Sequence, residues 1–216
     1  IVDDLPERGS VYTLGQDHEV KDLLFAGTEF GVFFSRDAGK KWVKMGGGLP
    51  TIGIRDIEIQ RRENDLVLAS FGRGFYVLDD YSTLRTIQDT TGKEAHIFPI
   101  KDALSFIESN PLGTKGKASQ GESFYTTPNP PVGAVIRYHL GSKAMTKTDV
   151  RRAAEKKARK EDKDVTYPSM DALLAEDLEE KPYLIFEIAD ASGEVVSRYK
   201  EEKFSKGINQ SVWDFR

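Results

Sequence analysis

Hydrophobic and polar positions alternate in short runs through the first part of the chain. Arg55-Asp56-Ile57-Glu58-Ile59-Gln60 changes character at nearly every residue, which predicts a half-buried strand. Arg61 to Asn64 supply a turn, and Asp65 to Phe71 and Phe75 to Leu78 read as two more strands, separated by Gly72-Arg73-Gly74. The same order of runs stands 43 residues earlier. Asp22-Leu23-Leu24-Phe25-Ala26 is answered by Asp65-Leu66-Val67-Leu68-Ala69, and Gly31-Val32-Phe33-Phe34 by Gly74-Phe75-Tyr76-Val77. Asp37 is answered by Asp80, and Val11-Tyr12-Thr13-Leu14 falls opposite Ile54-Arg55-Asp56-Ile57. A period of about 40–45 residues with several short strands per copy is the pattern of β-propeller blades. Each copy is expected to run strand, turn, strand, glycine turn, strand, turn, strand.

This spacing stops after about residue 85. The stretch 106–130 holds Pro111 and the loop Gly113 to Gly121 and runs into Pro128-Asn129-Pro130-Pro131, the chemistry of a linker. Gly133 to Leu140 reads as a strand. From 142 to 167 the chain has neither proline nor glycine. A helix is expected from Thr148 to about Asp162, capped by Thr148 or Asp149 and carrying the i,i+4 pairs Arg151/Glu155 and Glu155/Arg159. A second short helix is expected from Met170 to Glu179, with Ser169 as its cap. Strands return at Tyr183 to Ala189, Glu194 to Tyr199 and Ser211 to Phe215, the first two joined through Asp190-Ala191-Ser192-Gly193. The expected class is mainly β: about two propeller blades over 1–105, a linker over 106–130, and a β-sandwich over 131–216 with a helical insertion at about 148–180.

Composition narrows the partners. With 216 residues, 38% of them hydrophobic, the chain is long enough for a buried core. A net charge of −4 supplies no overall basic field for nucleic acid. Zero cysteines exclude a disulfide scaffold and a thiolate nucleophile. No apolar run of about 18 residues predicts a membrane span. Residues 147–163 carry eight positive and four negative side chains, and five acids follow over 171–180. The reading favoured over a partner-binding helix is a solvated helical hairpin whose two segments attract one another.

Candidate chemistry is sparse. Asp79-Asp80 and Glu179-Glu180 are adjacent pairs, whereas glycosidase carboxyls face each other across a sugar. His18, His96 and His139 lack metal-ligand spacing, so neither a metal nor a cofactor is expected. The sharpest motif is Ser35-Arg36-Asp37-Ala38-Gly39-Lys40-Lys41-Trp42, which fits S-x-D-x-G-x-x-W. Its physics is that of a β-turn: Ser35 and Asp37 bond the turn backbone, Gly39 takes a left-handed position, and Trp42 buries against its own sheet.

This motif is similar to the Asp-box, or BNR repeat, of sialidase-like and sortilin-like propellers. Ala26-Gly27-Thr28-Glu29-Phe30-Gly31-Val32, Leu49-Pro50 and Gly72-Arg73-Gly74-Phe75-Tyr76-Val77-Leu78-Asp79-Asp80 resemble the last blades of large bacterial proteins of that kind. The resemblance continues through Asn129 to Ala134. It ends at Gly207 to Arg216, which is similar to the W-D ending of FlgD-type immunoglobulin-like domains. It implies an exported protein in which Ser35, Asp37, Gly39 and Trp42 are a folding motif. Partners implied are the rest of its own propeller and a carbohydrate or protein ligand, with self-association through exposed blade edges. A sialidase would further need an arginine triad, for which Arg55 and Arg73 are the available residues, and no catalytic residue is assigned. The expectation is a non-catalytic binding or structural role. The alternative is part of a glycoside hydrolase whose catalytic residues lie on other blades.

Overall fold

Ile54 and Ile57 are both buried although they stand an odd number of positions apart on one strand, and a β-bulge is the reason. The pairing of β5 (Ile54–Gln60) with its neighbour shifts between Ile54 and Asp56, and the extra residue brings both isoleucines to one face. The computed structural model describes residues 4–90, 92–103, 105–107 and 130–215. Among them the chain is mainly β, with twelve strands in four antiparallel sheets and no closed barrel. It divides into two compact units, Ile1–Thr91 and Gly92–Arg216.

The first unit holds two sheets. Strands β1 (Val11–Gln16), β2 (Leu24–Thr28), β3 (Gly31–Ser35) and β4 (Val43–Lys44) form one in chain order. Strands β5, β6 (Asp65–Ser70) and β7 (Phe75–Leu78) form the other. Phe25, Val32 and Phe34 from the first pack with Ile57, Leu66 and Leu68 from the second in a shared core. The approach is close. A Cβ on Gly27 would lie 3.0 Å from the Ile54 carbonyl, and one on Gly15 would lie 3.2 Å from Ile57. Glycine is what allows the sheets to meet there.

The strand register refines the repeat. The bulge of β5 recurs in β1 between Val11 and Thr13, so β1 maps on β5 with the offset of 43. Thr13 pairs with Gly27 and Asp56 with Ala69, so β2 maps on β6 with an offset of 42. Ala26 pairs with Phe33 and Leu68 with Tyr76, which restores 43 from β3 to β7. The Leu23-to-Leu66 match of the sequence is therefore slipped by one residue. The fourth strand expected in the second copy is also replaced: the chain instead forms helix α1 (Thr83–Thr86), followed by a 3₁₀ turn over Ile87–Thr90. Tyr81, 1% exposed, and Leu84 fill the core from this segment, which turns inward rather than extending along β7.

In the second unit, β8 (Ala95–Ile97), β9 (Ala134–Leu140) and β12 (Gly207–Trp213) form a sheet in the order β12-β9-β8, and β10 (Leu184–Ala189) pairs with β11 (Val195–Glu201). Ile136, Tyr138 and Phe186 form their common core. Phe186 lies edge-on to Tyr138 and stacks on Tyr199, both at 5.2 Å. Because β8 pairs with β9, the second unit begins at Gly92 rather than after residue 130. The expected linker falls almost wholly outside the described residues.

The helical segment comprises α2 (Lys147–Lys160) and α3 (Met170–Asp177). The cap of α2 is Thr146, not Thr148 or Asp149. Its side chain accepts from the Asp149 amide while the Asp149 carboxylate accepts from the Thr146 amide, a reciprocal capping box. Ser169 caps α3. Arg151 grips Glu176 of α3 through Nε and Nη2 at 2.6 and 2.8 Å and reaches Glu155 at 2.6 Å. Opposite charges thus hold the two helices together.

Candidate functional site

The Ser35–Trp42 turn is built by its own side chains. Ser35 Oγ donates to Asp37 Oδ1 at 2.8 Å and accepts from the Gly39 amide at 2.8 Å. Asp37 Oδ1 also accepts from the Lys41 amide at 2.8 Å. That amide and the Ser35 hydroxyl hold the Asp37 carboxyl below its usual range. Ala38 and Gly39 are consecutively left-handed, with φ of 58° and 86°, a conformation natural to glycine. The Trp42 indole donates to the Gly39 carbonyl at 3.1 Å, and its ring, 6% exposed, packs with Ala26 and Phe33. The turn uses all four motif residues on itself.

Beside it lies a cleft of about 370 Å³, lined by Phe34, Arg36, Asp37, Lys41, Ile87 and Gln88. Arg36 Nη2 donates to the Arg85 carbonyl, which ties the turn to the segment after β7.

A second cluster, which no local motif announces, lies behind that tie. Asp17, 3% exposed, sits in the β1–β2 loop. Its oxygens accept from Arg85 Nε and Nη2 at 3.0 and 2.8 Å, from Tyr81 Oη at 2.5 Å and from the Val20 amide at 2.7 Å. Burial alone would raise the Asp17 carboxyl. The guanidinium, the phenol and the amide outweigh it and hold the group at about 2. Burial and the neighbouring carboxylate push the Tyr81 phenol up. Arg85 also bonds Asn64 Oδ1 at 2.7 Å and pairs with Glu19 at 2.7 Å. His18 Nδ1 lies 3.5 Å from Tyr81 Oη and 3.7 Å from Asp17. His18 therefore belongs to this network.

The remaining sequence candidates do not converge on one site. The Arg55 guanidinium lies over the Tyr12 ring at 3.9 Å and the Phe71 ring at 4.9 Å, a cation–π arrangement. Arg73 is exposed in its glycine turn. The register of β8 and β9 sets His96 opposite His139, a juxtaposition hidden by 42 residues of intervening chain. Among the described residues no three His, Asp or Glu side chains gather as a metal site, and no helix is long and apolar enough to cross a membrane.

No protein-family model, curated protein or solved structure matches the chain.

Proposed function

We propose that the chain is a non-catalytic binding or structural module of an exported protein. In this reading the first unit is a pair of adjacent Asp-box propeller blades. The second is an immunoglobulin-like sandwich with a helical insertion. Support for the blades comes from two antiparallel sheets with the same bulge at the same repeat position and from the self-bonded Ser35–Trp42 turn.

One observation carries the non-catalytic role: four aspartates of the first unit are taken up in holding structure. Asp17 is bound by Arg85 and Tyr81, and Asp37 by its own turn. Asp56 caps the Ile57 amide, and Asp65 accepts from the Asp80 amide. A retaining or inverting glycosidase instead needs two carboxyls facing each other across the sugar. The cleft beside the Ser35–Trp42 turn, with Arg36 and Lys41 on its wall, is the surface this reading assigns to a glycan or protein ligand. The test is an assay of the purified chain against aryl glycosides, sialosides included, beside a Glu58→Gln variant. No turnover above background is expected. Turnover that disappears in Glu58→Gln would establish an enzyme and overturn the reading.

A further inference from the structure

The helical pair of the second unit is built inside out. No residue of α2 or α3 is buried, and neither helix joins a hydrophobic core among the described residues. What joins them is polar: Thr148 Oγ1 and the Arg151 guanidinium both bond the Glu176 carboxylate. Thr148 and Arg151 stand three positions apart and so share the face of α2 turned to α3. The apolar positions lie on the faces turned away. On α3, Met170, Leu174 and Leu178 recur every fourth residue, roughly opposite Glu176 around the helix. They are 80%, 56% and 75% exposed. On α2, Val150, Ala153, Ala154 and Lys157 stand at i, i+3, i+4 and i+7, which makes one stripe on the side away from Arg151. All four are exposed. A helix of eight residues is marginal alone in water, yet α3 turns its largest apolar side chains to solvent.

The two outward faces differ in shape and in charge. On α3 a ridge of long side chains has Asp171 and Asp177 beside it; on α2 a shallow stripe with two alanines has Lys147 and Lys160 beside it. Among the described residues, none of these four side chains has an ion-pair partner. We infer that the α3 ridge of one copy of this chain seats on the α2 stripe of a second copy. Long side chains enter where alanines leave room, as ridges fill grooves between packed helices, and an acidic rim meets a basic one. Ridge on ridge would instead set Asp171 and Asp177 against their own copies, and stripe on stripe would do the same with Lys147 and Lys160. Like charges exclude both. Ridge and stripe point to opposite sides of the helical pair, so the contact is heterologous and continues until a ring closes or a filament grows. Three large side chains on a stripe of small ones make a small interface, and the association is weak and reversible. It stands apart from any glycan or protein ligand taken by the first unit.

The test is sedimentation velocity of the full chain from micromolar to submillimolar concentration. Wild-type chain is expected to form species larger than a dimer as concentration rises. Leu174→Lys sets a cation on the ridge, and Val150→Glu sets an anion on the stripe. Both positions are exposed and both new residues are good helix formers. Each variant is expected to be monomeric alone. Mixed together they are expected to give a 1:1 dimer and nothing larger, because the intact stripe of the first receives the intact ridge of the second. That complementation also shows that both variants are folded. Amide exchange in α3 is expected to slow with concentration in wild type and not in Leu174→Lys. A wild-type chain that stays monomeric would overturn the inference. So would association that survives either variant alone, a mixture that stays monomeric, or exchange in α3 that ignores concentration.

Discussion

Asp17 is the acid on which burial and pairing act most strongly in opposite directions. Its carboxyl is held at about 2 in the folded unit against an ordinary value of 3.8. A depressed folded value stabilises the native state above the unfolded value, and that contribution is lost as the pH falls toward 2. The shift corresponds to about 2 kcal/mol. Asp17→Asn leaves Arg85 without its buried counter-charge and is expected to cost about 3–5 kcal/mol near neutral pH. In urea titrations, the stability gap between wild type and Asp17→Asn should narrow as the pH is lowered to about 2. A gap independent of pH would contradict this electrostatic account. Trp42→Ala, which empties the space between Ala26 and Phe33, is expected to cost about 3–5 kcal/mol; an unchanged melting temperature would refute it. Trp42 was legible in the sequence because its hydrogen-bond partner Gly39 is three residues away, in a turn that Ser35 and Asp37 close locally. Asp17 was not, because Arg85 lies 68 residues away and a lone aspartate in a loop carries no mark of its partner.

Among the elements, the strands of the first unit were read close to their true bounds, since period-two alternation and the repeat reinforced each other. The one-residue slip from β2 to β6 escaped because Leu23 and Leu66 are both fully buried and match well by residue type. Only hydrogen-bond register distinguishes the two alignments. The missing fourth strand of the second copy was illegible for another reason: Tyr81 and Leu84 are drawn inward by the core, a tertiary preference that overrides local pattern. The opposite charges of α2 and α3 were visible as a composition shift, and the Arg151–Glu176 fork gives that shift its geometry. Glu176→Gln is expected to loosen the helical pair, seen as faster amide exchange in α3. A double-mutant cycle with Arg151→Gln should show a coupling that weakens with added salt, as screening of an accessible ion pair requires. Additive effects of the two substitutions would mean that the fork holds nothing together.

At the scale of the molecule, each unit has its own buried core, one centred on Phe25 and Leu68 and the other on Phe186. Separate cores predict separate cooperative transitions. Calorimetry of the whole chain is expected to show two unfolding events, with Trp42→Ala lowering only one and Phe186→Ala only the other. A single transition that both substitutions shift together would show the units unfolding as one. The boundary itself was misplaced in the sequence because β8 is only three residues long, too short for a period to show. Its membership follows from pairing with β9 across the intervening stretch.

The tie between Asp17 and Arg85 has a kinetic side. It joins the first hairpin loop to the helix that closes the unit, 68 residues further along the chain. Bringing two points so far apart along the chain together carries a loop-closure cost, so the bond is expected to form late on the folding path. A bond made late scarcely affects how fast the unit forms and strongly affects how fast it opens. The buried ion pair is thus expected to act as a latch: Asp17→Asn should speed unfolding far more than it slows refolding in stopped-flow measurements.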